Sequence, residues 1–241
     1  MEEFFHFKRF SLRNSSSTMK VNTDGVLLGA LCSLKGGRVL DAGTGGGLVA
    51  LMLAQRLSDA GKDFHIDGVD IDSPSIEEAL FNFGNSPWKD SLTAVKGSVL
   101  ELDGTWDQIV SNPPFFLGDL KNPDSRKASS RHGDILPGRT LSYESLVLFS
   151  KDHLSDGGTL SVILPSECEA PLLRLSRLAS LEPFRITRLR TVSRKPPRRV
   201  VVQLRKTEAR LSPLEDEIII QEEGAYTREY TSLVKDFYLW A

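Results

Sequence analysis

Apolar and polar positions alternate in short runs along the chain, and the runs predict strands separated by helices. Phe5-His6-Phe7-Lys8 alternates as an edge strand does, and Asn14-Ser15-Ser16-Ser17-Thr18 reads as a flexible turn. Val26, Leu27, Ala30 and Leu31 recur at helical spacing, with Asp24 placed to cap that helix and Gly36-Gly37 to end it. Arg38-Val39-Leu40-Asp41 is a short buried strand, and Leu48 to Leu57 carries the apolar face of a helix. His65 to Asp70 is a second strand. Ser73-Pro74 then offers a capping hydroxyl and a first-turn proline, with Ile76, Ala79, Leu80 and Phe83 as the buried stripe of the helix. Further strands are expected at Leu92 to Lys96, Trp106 to Ser111 and Thr159 to Leu164, the last preceded by a helix over Tyr143 to Leu154 and a turn at Gly157-Gly158.

This alternation predicts the α/β class: a doubly wound, mostly parallel sheet with helices on both faces and a ligand crevice at the carboxyl ends of its strands. Arg185 to Arg190 and Arg199 to Leu204 are expected strands on either side of Lys195-Pro196-Pro197, where the prolines break the ladder, so they form a terminal antiparallel hairpin. The segment from Tyr230 to Trp240 has helical spacing and is expected to pack back on the core. A chain of 241 residues with no long linker fits one domain over 1–241, residues 1–36 forming an amino-terminal lid or platform.

Composition narrows the class. Hydrophobic content of 40% and charged content of 26% are ordinary globular values. The start Met1-Glu2-Glu3-Phe4-Phe5-His6 lacks a secretory pattern, and a cytoplasmic location is expected. Cys32 and Cys168 are far apart, and the four histidines are scattered, so the thiols read as structural and no metal is expected. A net charge of −2 argues against indiscriminate coating of nucleic acid. Its distribution says more. Arg185, Arg188, Arg190, Arg194, Lys195, Arg198, Arg199, Arg205 and Lys206 occur with no acid among them, and acid follows in Glu215-Asp216-Glu217 and Glu222-Glu223. Such a cluster is either a footprint for a phosphate backbone or a solvated strand face.

Two motifs carry chemistry. In Asp41-Ala42-Gly43-Thr44-Gly45-Gly46-Gly47 the glycines Gly43, Gly45 and Gly47 fall at even spacing between a strand and a helix. The dinucleotide fingerprint is spaced differently, and an acid at the strand end is a feature of S-adenosylmethionine (SAM)-dependent methyltransferases. Asp41 could engage the methionine amino group, Asp70 is placed to accept from ribose hydroxyls, and Ser98 follows the third strand where an adenine contact is expected. The second motif is Asn112-Pro113-Pro114-Phe115 at the end of the fourth strand. An exocyclic adenine amine is a poor nucleophile because its lone pair is delocalised. The Asn112 side-chain oxygen and the Pro113 carbonyl could localise that lone pair while Phe115 stacks on the base. In isolation, each motif also reads as a plain turn at a strand end.

Four further segments give these motifs a family: Met19-Lys20-Val21 with Thr23-Asp24-Gly25-Val26-Leu27-Leu28-Gly29-Ala30; Ser130-Arg131-His132; Ser193-Arg194-Lys195-Pro196-Pro197-Arg198-Arg199; and Asp236-Phe237-Tyr238-Leu239. Together they resemble the bacterial tRNA adenine-N6 methyltransferases that modify position 37, beside the anticodon, of one valine tRNA. The resemblance implies a Rossmann-like class I methyltransferase fold with a mostly parallel seven-stranded sheet, SAM as cofactor and tRNA as partner. It also implies Asn112, Pro113 and Phe115 in the active site, Thr23 and Asp24 at the SAM or base pocket, and Arg131, His132, Lys195, Arg198 and Arg199 on RNA. Thr23 and Asp24 read equally as a helix cap. Phe115 stands where this turn often has tyrosine. Two rivals stay open: a protein-glutamine N5-methyltransferase, which usually carries a helical domain before the SAM fold, and a non-catalytic RNA-binding protein that keeps the fold.

Overall fold

The computed structural model describes residues 3–15, 20–114 and 141–241. An amino-terminal hairpin, β1 (Phe4–His6) and β2 (Ser11–Arg13), leads to helix α1 (Thr23–Leu31). Strand and helix then alternate: β3 (Gly37–Ala42), α2 (Leu48–Asp59), β4 (Phe64–Asp70), α3 (Ser73–Gly84), β5 (Leu92–Lys96) and β6 (Trp106–Ser111). Beyond the undescribed stretch come α4 (Tyr143–His153), β7 (Leu154–Pro165), α5 (Glu169–Leu178), β8 (Leu181–Val192), β9 (Arg199–Lys206), β10 (Leu214–Glu222), β11 (Ala225–Tyr226) and α6 (Arg228–Val234).

The main sheet runs β11-β10-β8-β9-β7-β6-β3-β4-β5. Strands β5, β4, β3, β6 and β7 are parallel, β9 lies antiparallel between β7 and β8, and the expected hairpin is the β8–β9 pair. These strands are the expected seven. β10, parallel to β8, and the short β11 extend the edge, so the sheet has nine strands among the described residues.

Neighbouring strand residues enter opposite cores, as a period of two requires. Val39, Val110, Ile163 and Val201 face a cluster with α1, α2, α3 and α6; Leu40, Ile109, Val162 and Val202 face one with α4 and α5. Helix α1 is buried from Gly25 through Leu31, which explains its nearly unbroken apolar run.

Several local expectations change. Helix α1 is capped by Asn22, whose side chain accepts from the Gly25 amide, while Asp24 sits in the first turn. The cap of α3 is Asp72, with Ser73 already inside the helix, and Leu80 is 55% exposed because the buried face runs through Glu78 and Asn82 instead. Gly157-Gly158 lies within β7, not before it. The last helix ends at Val234, and the chain then returns to the amino-terminal arm: Phe7 bridges Tyr238, and the Lys8 amide donates to the Phe237 carbonyl at 2.8 Å. Phe5, Phe7, Phe10, Trp88 and Tyr238 pack around this junction. Asn14, read as part of a flexible turn, is buried and accepts from the Val21 amide, and the Ser15 amide donates to Glu78. Among the described residues, no helix is long and apolar enough to cross a membrane.

Candidate active site

The carboxyl ends of β6, β3, β4 and β5 lie side by side along one edge of the sheet, and backbone contacts fix their relative positions. The Gly43 and Thr44 amides donate to the Val69 carbonyl at 2.9 and 3.1 Å, so the glycine loop leans on the end of β4. Asp70, the last residue of β4, accepts the Gly45 amide on one carboxylate oxygen at 2.9 Å and the Asp72 amide on the other at 3.0 Å. Its own carbonyl receives the Gly97 amide at 2.9 Å, which brings Ser98 beside it. On the other side, Ser111 Oγ donates to the Ala42 carbonyl at 2.7 Å, setting Asn112 next to the start of the glycine loop. Asp41, Gly43, Gly45, Gly47, Asp70, Ser98, Asn112 and Pro113 therefore belong to one neighbourhood.

Within it, Asp41 has a structural task. It is 1% exposed, and its Oδ2 accepts from Thr44 Oγ1 at 2.8 Å and the Ala50 amide at 3.1 Å, pinning the loop to the first turn of α2. Burial pushes its pKa up to about 7, with both hydrogen bonds pulling the other way. Burial also raises the Asp70 carboxyl above its usual range, against the pull of the amides it accepts.

The loop glycines divide by role. Gly47 caps α2 at φ +89°, and a Cβ there would overlap the Phe83 ring, so this glycine serves helix–helix packing. Gly45, at φ +55°, has nothing within 4 Å of the position a Cβ would take, which leaves its backbone open to an incoming group. An open glycine loop, a strand-end acid and a polar residue after β5 fit the methionine, ribose and adenine parts of SAM.

Sequence reasoning missed three contributors. Asn82 of α3 is 1% exposed; its amide nitrogen donates to the carbonyls of Gly46 at 2.8 Å and Arg13 at 3.2 Å, and its oxygen accepts the Arg13 amide, so it ties the amino-terminal hairpin to the glycine loop. Glu78, one turn earlier, makes the parallel tie to Ser15. Their spacing of four on a helix was the available signal. Ile71 is 48% exposed between Asp70 and Asp72, an apolar face at the rim.

The remaining expected residues lie farther along the same sheet edge or outside the described residues. Phe115, Arg131 and His132 are outside them. Thr23 and Asp24 open α1 and line a cleft with Arg198 and Arg199. Arg199 donates to Asp24 at 2.7 Å, so it is not a bare cation. The basic cluster as a whole is smaller than the linear count suggested. Strand β10 lies beside β8, and its acids meet the arginines: Arg185 pairs with Asp216, Arg188 with Glu215 and with Glu169 of α5, and Arg190 with Glu217. Arg205 lies over Phe184, and Lys206 donates to the Leu154 carbonyl. Exposed Arg194, Lys195 and Arg198, on the β8–β9 turn, have no side-chain partner among the described residues.

Known proteins match this arrangement. A family model for the methyltransferase small domain matches residues 17–127. The tRNA1(Val) (adenine(37)-N6)-methyltransferase of Parabacteroides distasonis is 36% identical over 98% of this chain and 98% of its own. That of Photobacterium profundum is 33% identical over 99% of each chain. Among solved structures, a predicted O-methyltransferase from Agrobacterium tumefaciens superposes with a TM-score of 0.67 at 17% identity, over 89% of this chain and 96% of that one. The T. thermophilus 16S rRNA N2 G1207 methyltransferase, solved with AdoMet and guanosine, gives 0.55 at 19% identity, over 85% and 50%. The structural likenesses establish the class I methyltransferase fold, and near full-length identity establishes the family: this chain belongs to the tRNA1(Val) (adenine(37)-N6)-methyltransferases.

Proposed function

We propose that this protein transfers a methyl group from SAM to N6 of adenine 37 in tRNA1(Val). The observation that carries this reading is the Ser111–Ala42 hydrogen bond, which puts the Asn112-Pro113 turn at the mouth of the glycine loop, cofactor side and acceptor side in one crevice. When bound, SAM supplies a sulfonium-activated methyl: the N6 lone pair forms the new N–C bond, the C–S pair stays on sulfur, and an N6 proton leaves to water.

The chain supplies position. Gly45 and Asp70 hold the cofactor through an open backbone and a carboxylate already oriented by two amides. Ser98 and Ile71 flank the adenine end. Asn112, 8% exposed at the end of a buried strand, and the Pro113 carbonyl accept from the amine hydrogens and turn its lone pair toward the methyl carbon. Proline at 113 keeps Asn112 out of helical angles, and two prolines in succession stiffen the turn. Phe115 stacks on the base. Orientation of two reactants, not strong base catalysis, is what this site provides. An anticodon-loop adenine suits it, being already unpaired and exposed. Arg194, Lys195 and Arg198, on the same edge of the sheet, receive phosphates, and Arg131 and His132 add to them.

Nucleoside mass spectrometry tests the reading, using tRNA1(Val) transcript, an A37→G transcript, isotope-labelled SAM and Asn112→Ala. Labelled N6-methyladenosine that needs both A37 and Asn112 is expected. Label in a protein glutamine, or in no nucleoside while SAM binds, would overturn it.

A further inference from the structure

The cleft that Thr23 shares with Arg198 encloses about 300 Å³, at the small end of ligand sites and sized for one planar group with its attachments. It lies at the carboxyl-end edge of the sheet: Arg199 pairs with Pro165 at the end of β7, and Thr191 and Gln221 close β8 and β10. From β6 to β8 is three strand spacings, about 14 Å. That is a reach of a few nucleotides from Asn112.

Its walls combine three kinds of group. Tyr226 is 48% exposed yet held in orientation, stacked on Trp240 with ring centroids 4.6 Å apart and planes at 13°; Tyr230, 2% exposed, backs it. Arg198 lines the cleft and its guanidinium has no partner among the described residues, while Asp24, the one acid among the described lining residues, is neutralised by Arg199. Thr23, Thr191 and Gln221 supply hydroxyl and amide groups. A fixed aromatic, an unclaimed guanidinium and a few polar edges are what a nucleotide needs: a surface to stack on, a phosphate partner and hydrogen bonds for a base edge.

We propose that this cleft takes one nucleotide of the tRNA substrate other than the target adenine, its base against Tyr226 and its phosphate on Arg198. The proposal rests on tRNA being the substrate. A base seated here, with the target at Asn112, holds the anticodon loop at two points, so the cleft contributes to register as well as affinity.

The test measures Kd for tRNA1(Val) by fluorescence anisotropy, and kcat and KM by methyl transfer, for wild type, Tyr226→Ala, Tyr226→Phe and Arg198→Ala, with SAM affinity and Tm recorded for each. Tyr226→Ala should weaken tRNA binding at least about fivefold, the low end of a lost stacking contact, with kcat at saturating tRNA and SAM affinity within twofold of wild type. Tyr226→Phe should bind as wild type does, and Arg198→Ala should lose affinity with no change in Tm. Unchanged Kd in both Tyr226→Ala and Arg198→Ala overturns the cleft and leaves the methyltransferase reading standing. Equal losses in Tyr226→Ala and Tyr226→Phe overturn the stacking role. Wild type that binds tRNA through the cleft but never methylates it supports the cleft and sinks the reading above, whereas failure to bind tRNA overturns both.

Discussion

Asp70 and Gly45 hold each other in place: one carboxylate oxygen accepts the loop amide at 2.9 Å, so the residue proposed for the ribose also fixes the loop proposed for the methionine moiety. Removing the carboxylate should therefore harm binding twice. Asp70→Ala is expected to raise the SAM dissociation constant more than tenfold, since a hydrogen bond to a charged group is worth about 1.5–3 kcal/mol. Isothermal titration would show it, and an unchanged constant would remove Asp70 from the cofactor site.

Gly45 and Gly47, two of the three positive-φ glycines of the loop, should fail in different ways. Gly47→Ala drives a methyl into Phe83 and is expected to lower stability by about 2 kcal/mol or more, with urea unfolding as the readout. Gly45→Ala meets no atom, so it should cost only about 1 kcal/mol of backbone strain while abolishing measurable SAM binding. Equal effects on stability and binding in the two variants would contradict the division of roles.

Asp41 gives stability a pH slope. Its folded pKa, about 7, lies above the ordinary 3.8, so between those values the folded chain keeps a proton that the unfolded chain has released. Its favourable contribution is fully present below about pH 4 and is lost as pH rises through 7, a change of about 4 kcal/mol at most. Asp41→Asn keeps an acceptor for Thr44 and Ala50 without the ionisation. Its stability relative to wild type should improve between pH 5 and pH 8 in paired urea titrations; a constant difference would mean Asp41 ionises normally.

Charge pairing across β8 and β10 makes a prediction about salt. Lys195→Ala and Arg198→Ala should each reduce the slope of log Kobs for tRNA against log salt by about one. Arg185→Ala should leave it unchanged, because that guanidinium already sits 2.6 Å from Asp216. Equal slopes for all three would return the whole basic run to the RNA surface.

These pairings also mark where sequence reasoning stopped. β5 and β6 were legible to the residue, because each is a short stretch with β-branched or aromatic residues bounded by turn residues. The crevice was legible because strand-end acids and glycines are local signals. Whether a cation is free was not, since it depends on which strand lies alongside: the Glu215-Asp216-Glu217 run is distant from Arg185 in the chain and adjacent to it in the sheet. Asn82 escaped notice for a similar reason. Its partners, Arg13 and Gly46, belong to segments that only the fold brings to α3.

The junction between the amino-terminal arm and Phe237-Tyr238 closes a loop of roughly 230 residues. Such a contact cannot form until the sheet has drawn both ends round, so it belongs to the last stage of folding. The arm precedes that turn by most of the chain, so Phe5 and Phe7 must wait for Tyr238 before their aromatic faces are fully covered. A segment made long before the turn that covers it is thus among the last to be sheltered from water.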